Sequence, residues 1–136
     1  MNISSVLLVD DDEDIRAIGK TSLANVGGWR VWTAASGREA IAQARAETPD
    51  LIVLDVMMPG MDGPTTLAEL RAHDATRHIP VIFLTAKAQR HEVHRLESLG
   101  GAGVLTKPFD PMALPEAIRD LLTCRTERQP RRESEA

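Results

Sequence analysis

Five short apolar runs punctuate the chain, each followed by a stretch with helical spacing. Val6–Val9, Val31–Ala34, Leu51–Leu54, Val81–Leu84 and Val104–Leu105 read as strands. The intervening segments place apolar residues three and four apart. Ile15, Ile18, Leu23 and Val26 form one such face, and Ala40, Ile41 and Ala44 a second. Leu67 with Leu70, then Val93, Leu96 and Leu99, mark the third and fourth. Leu114, Ile118, Leu121 and Leu122 complete a fifth. Ser36 followed by Glu39 is a capping box that opens the second helix. Gly27-Gly28, Thr48-Pro49 and Gly100-Gly101 stop helices, and Asp110-Pro111 reads as an N-cap with proline at the first helical position.

Strands alternating with helices imply right-handed crossovers and a parallel sheet covered on both faces. Interior strands of such a sheet are apolar throughout. The first, third and fourth runs meet that condition. The Trp29–Ala34 and Ala102–Thr106 segments carry Arg30, Thr33 and Thr106 and suit the edges. Three interior and two edge strands in this chain order predict an α/β fold, a doubly wound five-stranded parallel sheet ordered 2-1-3-4-5. That is the flavodoxin-like arrangement.

Composition narrows the picture. A chain of 136 residues is one domain's worth, and 43% apolar with 26% charged residues is ordinary for a folded globule. No apolar run reaches the roughly 18 residues of a membrane span. Met1 to Ser5 lacks the basic region of a secretory signal. A single cysteine, Cys124, excludes an internal disulfide and reads as a partly buried helix residue. A net charge of −4 disfavours nonspecific nucleic-acid binding. The expectation is a cytoplasmic domain over 1–124 and a disordered, solvated tail over 125–136, which holds four arginines and three glutamates but no large apolar side chain.

In an open parallel sheet, ligands bind beyond the carboxyl ends of the strands, where the strand order reverses. That reversal falls between the first and third strands. The first ends in Asp10-Asp11-Asp12 and the third in Asp55, so these acids are expected to converge. Two carboxylates ~4 Å apart repel by about 4 kcal/mol at an effective dielectric near 20. Protons or a cation must relieve that, and hard oxygen ligands suit Mg²⁺ or Mn²⁺. Acids at Asp10–Asp14 alone would equally serve a helix N-terminus. Asp55 has no such task, because Pro59 and Gly60 follow it in a loop. The fourth strand ends in Thr85 and the fifth in Lys107. A phosphoryl group on Asp55, between a metal, the Thr85 hydroxyl and the Lys107 ammonium, would balance the charges.

The runs Val6-Leu7-Leu8-Val9-Asp10-Asp11-Asp12, Leu54-Asp55-Val56-Met57-Met58-Pro59-Gly60-Met61-Asp62-Gly63, Phe83-Leu84-Thr85-Ala86 and Thr106-Lys107-Pro108-Phe109, in this order and spacing, resemble the receiver domain of two-component response regulators. The resemblance spans about Ser4 to Leu122. It implies that Asp55 is the phosphoacceptor for a phosphohistidine on a sensor histidine kinase or histidine phosphotransfer protein. Asp11 would bind Mg²⁺ directly, Asp10 mainly through water, and the Met57 backbone carbonyl would complete the protein ligands with Asp55. Thr85 and Lys107 would bind the phosphoryl group, and Lys107-Pro108 would be cis. Phosphorylation would repack the fourth helix and fifth strand and switch a protein-binding face. The aromatic residue that many receivers place three before the lysine is Val104 here, so the output change is expected in the Thr85–Ala86–Lys87 loop and the Gln89–Leu99 helix. With no output domain visible after the receiver, the expectation is a stand-alone receiver, monomeric or dimerising on phosphorylation, with an unknown downstream protein and no turnover activity.

Two other classes share this pattern. A phosphohydrolase working through an aspartyl phosphate commonly carries a second acid two residues after the nucleophile, where this chain has Met57. A flavin module needs a hydroxyl- and glycine-rich loop after the first strand, where acids stand. Met57, Met58 and Met61 read as loop packing. Met57 and Lys87 also flank the expected path of a hydrolytic water. His91 and His94 read as solvated surface, and Trp29 and Trp32 as edge-strand packing.

Overall fold

The computed structural model describes residues 3–87 and 89–123. Cys124 and the 125–136 tail lie outside the described residues. Five strands, β1 (Ser5–Val9), β2 (Arg30–Ala34), β3 (Leu51–Asp55), β4 (Val81–Thr85) and β5 (Gly103–Thr106), form one parallel sheet ordered β2-β1-β3-β4-β5. Helices α1 (Glu13–Thr21), α2 (Gly37–Glu47), α3 (Gly63–Ala72) and α4 (Arg90–Ser98) connect the strands, and residues 114–123 form α5. The expected order and edge strands are therefore present. β3 and β4 are buried along their whole length, as apolar strands covered on both faces must be.

Alternation of side chains across the sheet divides the core in two. Leu7, Val9, Ile52, Leu54 and Phe83 meet α2, α3 and α4 through residues such as Ala40, Ala44, Leu67, Leu70 and Leu96. On the opposite face Leu8, Val53, Ile82 and Leu84 meet Leu23, Leu114, Ile118 and Leu122. Trp29 joins that second cluster, and the Arg119 guanidinium stacks over it at 4.7 Å while donating to the Gly27 carbonyl.

The caps follow the sequence with two shifts. Ser36 accepts from the Glu39 N–H, Asp62 accepts from the Thr65 N–H, and Thr48 takes the left-handed conformation that closes α2. Gly63, which the sequence pattern places with Gly60 in the loop after Asp55, is the first residue of α3. Asp110 caps a turn at 111–113 by accepting from the Met112 N–H, so helical residues begin at 114, not at Pro111.

The apolar face expected on the first helix is corrected. A widened π-helical turn, Ser22–Val26, follows α1. Ile15 and Leu23 pack inward as expected, together with Gly19 and Ser22, while Ile18 is 46% and Val26 43% exposed. A Cβ at Gly19 would come within 2.4 Å of Leu8 Cδ2. The helix lies so close to β1 that a small residue must take the contact, and a search for apolar residues passes over it. On α4, Leu96 is fully buried but Leu99 is 48% exposed, because α4 ends at Ser98 and the chain turns away through Gly100 at φ +111°.

Candidate phosphoacceptor and metal site

The carboxyl ends of β1, β3, β4 and β5 place the polar residues together. Val9 pairs with Leu54, so Asp10 stands beside Asp55 one position beyond the last register pair. Leu84 pairs with Asp55 and Thr85 with Thr106, which sets Thr85 and Lys107 at the same rim. The Lys107 N–H donates to the Thr85 carbonyl at 2.8 Å, and the Lys107-Pro108 bond is cis. Gly63 fits against the end of β3, where a Cβ would lie 2.5 Å from the Asp55 carbonyl oxygen.

Asp10, Asp55 and Thr85 are all buried. Carboxylate oxygens of Asp10, Asp11 and Asp55 lie within 4.8 Å of one another, with Asp11 on the solvent side. Lys107 Nζ sits between the two buried acids, 2.8 Å from Asp10 Oδ2 and 3.1 Å from Asp55 Oδ1. Asp10 Oδ2 has no aligned hydrogen-bond donor, so its contact with the ammonium is an ion pair. Burial pushes the Asp55 carboxyl up, the Lys107 hydrogen bond pulls it back, and the Asp10 charge raises it again. The net result is about 6. Burial works against the Lys107 ammonium, but its close contacts with Asp10 and Asp55 and the charge of both acids outweigh it and hold its pKa above the ordinary lysine value.

Thr85 Oγ1 accepts from the Lys87 N–H at 3.0 Å, so the hydroxyl is tied to its own loop. The Met57 N–H approaches Asp55 Oδ1 at 3.4 Å, while the Met57 side chain is 74% exposed. The packing expected of Met57 is thus absent, whereas Met58 is buried. Asp12, expected to join the cleft, instead caps α1 by accepting from the Asp14 N–H at 2.9 Å. One contact escaped the sequence: Arg16 Nη1 donates to the Asp10 carbonyl at 2.8 Å. A basic residue one turn into the helix after an acidic strand end is the signal that could have drawn attention to it.

Three carboxylates with no nitrogen or sulfur ligand form a donor set for a hard cation, and the buried Asp10 Oδ2 has no aligned donor to give up. The site fits Mg²⁺.

The model of the response regulator receiver domain matches residues 6–119. The chain belongs to the response regulator receiver family. It is 42% identical over 118 residues to response regulator PleD of Caulobacter vibrioides, covering 85% of this chain and 25% of that protein. It is 37% identical over 117 residues to the alkaline phosphatase synthesis transcriptional regulatory protein PhoP of Bacillus subtilis, covering 86% of this chain and 48% of that one. The receiver thus spans a quarter to a half of these relatives. Among solved structures, chemotaxis protein CheY4 of Vibrio cholerae superposes with a TM-score of 0.81 at 33% identity, covering 89% of this chain and all of that one. No helix among the described residues is long and apolar enough to cross a membrane.

Proposed function

We propose that this receiver takes a phosphoryl group onto Asp55 from the phosphohistidine of a sensor histidine kinase or histidine phosphotransfer protein, in the cytoplasm. The observation that supports this best is Lys107 Nζ held between Asp10 Oδ2 and Asp55 Oδ1, above two buried carboxylates. A lysine pinned between acids at a strand-order reversal is placed to follow negative charge from the Asp55 carboxylate onto a group attached to it.

An Asp55 carboxylate oxygen attacks phosphorus, the nitrogen–phosphorus bond breaks, and its electron pair returns to the donor imidazole. Lys107 then pairs with a phosphoryl oxygen, and the Thr85 hydroxyl leaves the Lys87 amide to donate to another. Asp10, Asp11, Asp55 and the Met57 carbonyl would hold Mg²⁺, which neutralises charge on the transferring group when bound. Met57 and Lys87 flank the approach to Asp55 and set how long the acyl phosphate survives water. With Val104 where an aromatic switch residue often stands, the change travels through the Thr85–Ala86–Lys87 loop into α4, whose exposed side meets the downstream protein. The receiver is a switch and not a turnover enzyme.

Incubation of the protein with Mg²⁺ and acetyl phosphate tests this by intact mass. The expected result is one adduct of about 80 Da, absent in Asp55→Asn. An adduct that persists in that variant moves the acceptor elsewhere.

A further inference from the structure

We propose that Arg16 is a positioning residue for the metal-binding acids. Its guanidinium fixes the peptide plane between Asp10 and Asp11, and through it the directions of both carboxylates. This rests on the Mg²⁺ reading of the site given above.

Asp10 is held by three hydrogen bonds. Its N–H donates to the Ala34 carbonyl at 3.1 Å. Its Oδ1 accepts from the Asp12 N–H at 2.9 Å. Its carbonyl accepts from Arg16 Nη1 at 2.8 Å. Only Oδ2 is left to face the cleft, against Lys107. In two of the three restraints the partner is a main-chain group, the Ala34 carbonyl or the Asp12 N–H. The third comes from Arg16 alone.

That third restraint acts where the sheet gives out. Val9 and Leu54 are the last register pair of β1 with β3, so the Asp10 carbonyl projects beyond the ladder. Anchoring the Asp10 carbonyl holds ψ of Asp10, and an uncompensated change in that angle would redirect the chain from Asp11 onward, its Cα–Cβ bond included. Asp11 is exposed and is not held by burial as Asp10 is. Arg16 is half-buried on the first turns of α1, a helix locked to β1 at Gly19. Its guanidinium therefore transmits a rigid reference point to the one exposed acid of the site.

Electrostatics makes the idea testable, because the two roles of an arginine here oppose each other. As a bystander cation, Arg16 repels Mg²⁺, and its removal tightens metal binding. As a positioning group, it organises the ligands, and its removal weakens metal binding although a positive charge is lost.

The experiment titrates Mg²⁺ by calorimetry into the full chain as wild type, Arg16→Ala, Arg16→Lys and Lys20→Ala, and records apo amide spectra of each. Arg16→Ala is expected to bind Mg²⁺ roughly tenfold more weakly, the scale of one charge-assisted hydrogen bond. Arg16→Lys recovers part of the loss. Lys20→Ala removes a charge from the same helix without touching Asp10, and it binds as wild type or slightly tighter. In the apo protein, the Asp11 and Asp12 amide signals shift and exchange faster in Arg16→Ala. Arg16→Gln, which cannot span the distance, stands in should alanine unfold the chain. Equal or tighter Mg²⁺ binding in Arg16→Ala, or Asp11 and Asp12 amides that do not move, overturns the proposal. Wild type that takes up no Mg²⁺ sinks the metal reading instead, and the apo amides then decide the role of Arg16 alone.

Discussion

The two helices that flank the site are built in opposite ways. α1 is set hard against the sheet through Gly19, carries an Asp12 cap, and reaches back through Arg16 to the end of β1. α4 has no side-chain cap at Gln89, buries only Leu96 completely, and leaves Leu99 half exposed. The acids therefore stand on the fixed flank, and Thr85, with its hydroxyl tied to the Lys87 backbone, opens onto the loose one. Charge must be held still where a metal binds and must be free to pull where a signal leaves. Few buried contacts and a bare helix terminus are the physical content of a movable element.

The largest expected effect tests that asymmetry directly. Leu96→Ala removes the one fully buried anchor of α4 and should cost about 3 kcal/mol, within the range for buried leucine truncation. Hydrogen exchange should show the loss of protection concentrated in α4, with β1 and β3 protected. Gly19→Val forces a branched side chain into Leu8 and should cost about 2–3 kcal/mol. Here the loss should run through the whole domain, seen as faster exchange in β1 as well as α1. Equal loss across β1 and α4 in Leu96→Ala would erase the distinction between the flanks.

A smaller effect belongs to the acid pair between them. The Asp55 carboxyl titrates at about 6 in the folded protein against 3.8 as a free side chain. The folded state thus binds this proton more tightly than the unfolded chain. Stability from the group is fully present below pH 3.8 and is lost as pH rises through about 6. In chelator, Asp55→Asn should therefore be more stable than wild type by about 2–3 kcal/mol at pH 7. The difference should shrink below pH 6 and vanish near pH 4 in urea melts. Mg²⁺ should recover stability in wild type and not in the variant, because only wild type keeps all three acids.

Legibility in the sequence followed the same division. The strands were readable because burial on both faces leaves no polar position to confuse the pattern, as in Leu51–Leu54. Asp10, Asp55 and Thr85 are readable because each stands at the end of such a run, whereas Lys107 follows Thr106 on the mixed edge strand and is readable only by its place at the matching strand end. The first helix misleads at Ile18 and Val26 because two of its inward positions, Gly19 and Ser22, carry no hydrophobic signal. Asp12 reads as a cleft residue because adjacent acids look alike in sequence. Only the turn of the backbone sends Asp10 inward and Asp12 to the helix cap. Lys107 bridging both acids, and Arg16 reaching the Asp10 carbonyl, are long-range contacts with no local pattern to announce them.

The smallest effect concerns the helix starts. Asp12 accepts from the Asp14 N–H and places a negative charge at the positive end of α1. Asp12→Ala should therefore destabilise the receiver by about 1 kcal/mol, the usual worth of an N-cap. It should also loosen the Asp10 Oδ1 contact by letting the residue 12 amide fray. Gln89 makes no such bond, so Gln89→Ala should change stability by less than about 0.5 kcal/mol. Gln89→Asp is the sharper version. A carboxylate in the extended conformation that Gln89 already adopts, φ −67° and ψ 149°, can accept from the second or third N–H of α4. It should stabilise α4 by roughly 0.5–1 kcal/mol and slow its hydrogen exchange, while the protection of α1 stays constant. If the looseness of α4 serves the switch, that same cap should weaken the response of α4 amide signals to beryllofluoride. An undiminished response would show that the missing cap has no part in signalling and that α4 moves as a rigid body from its loop.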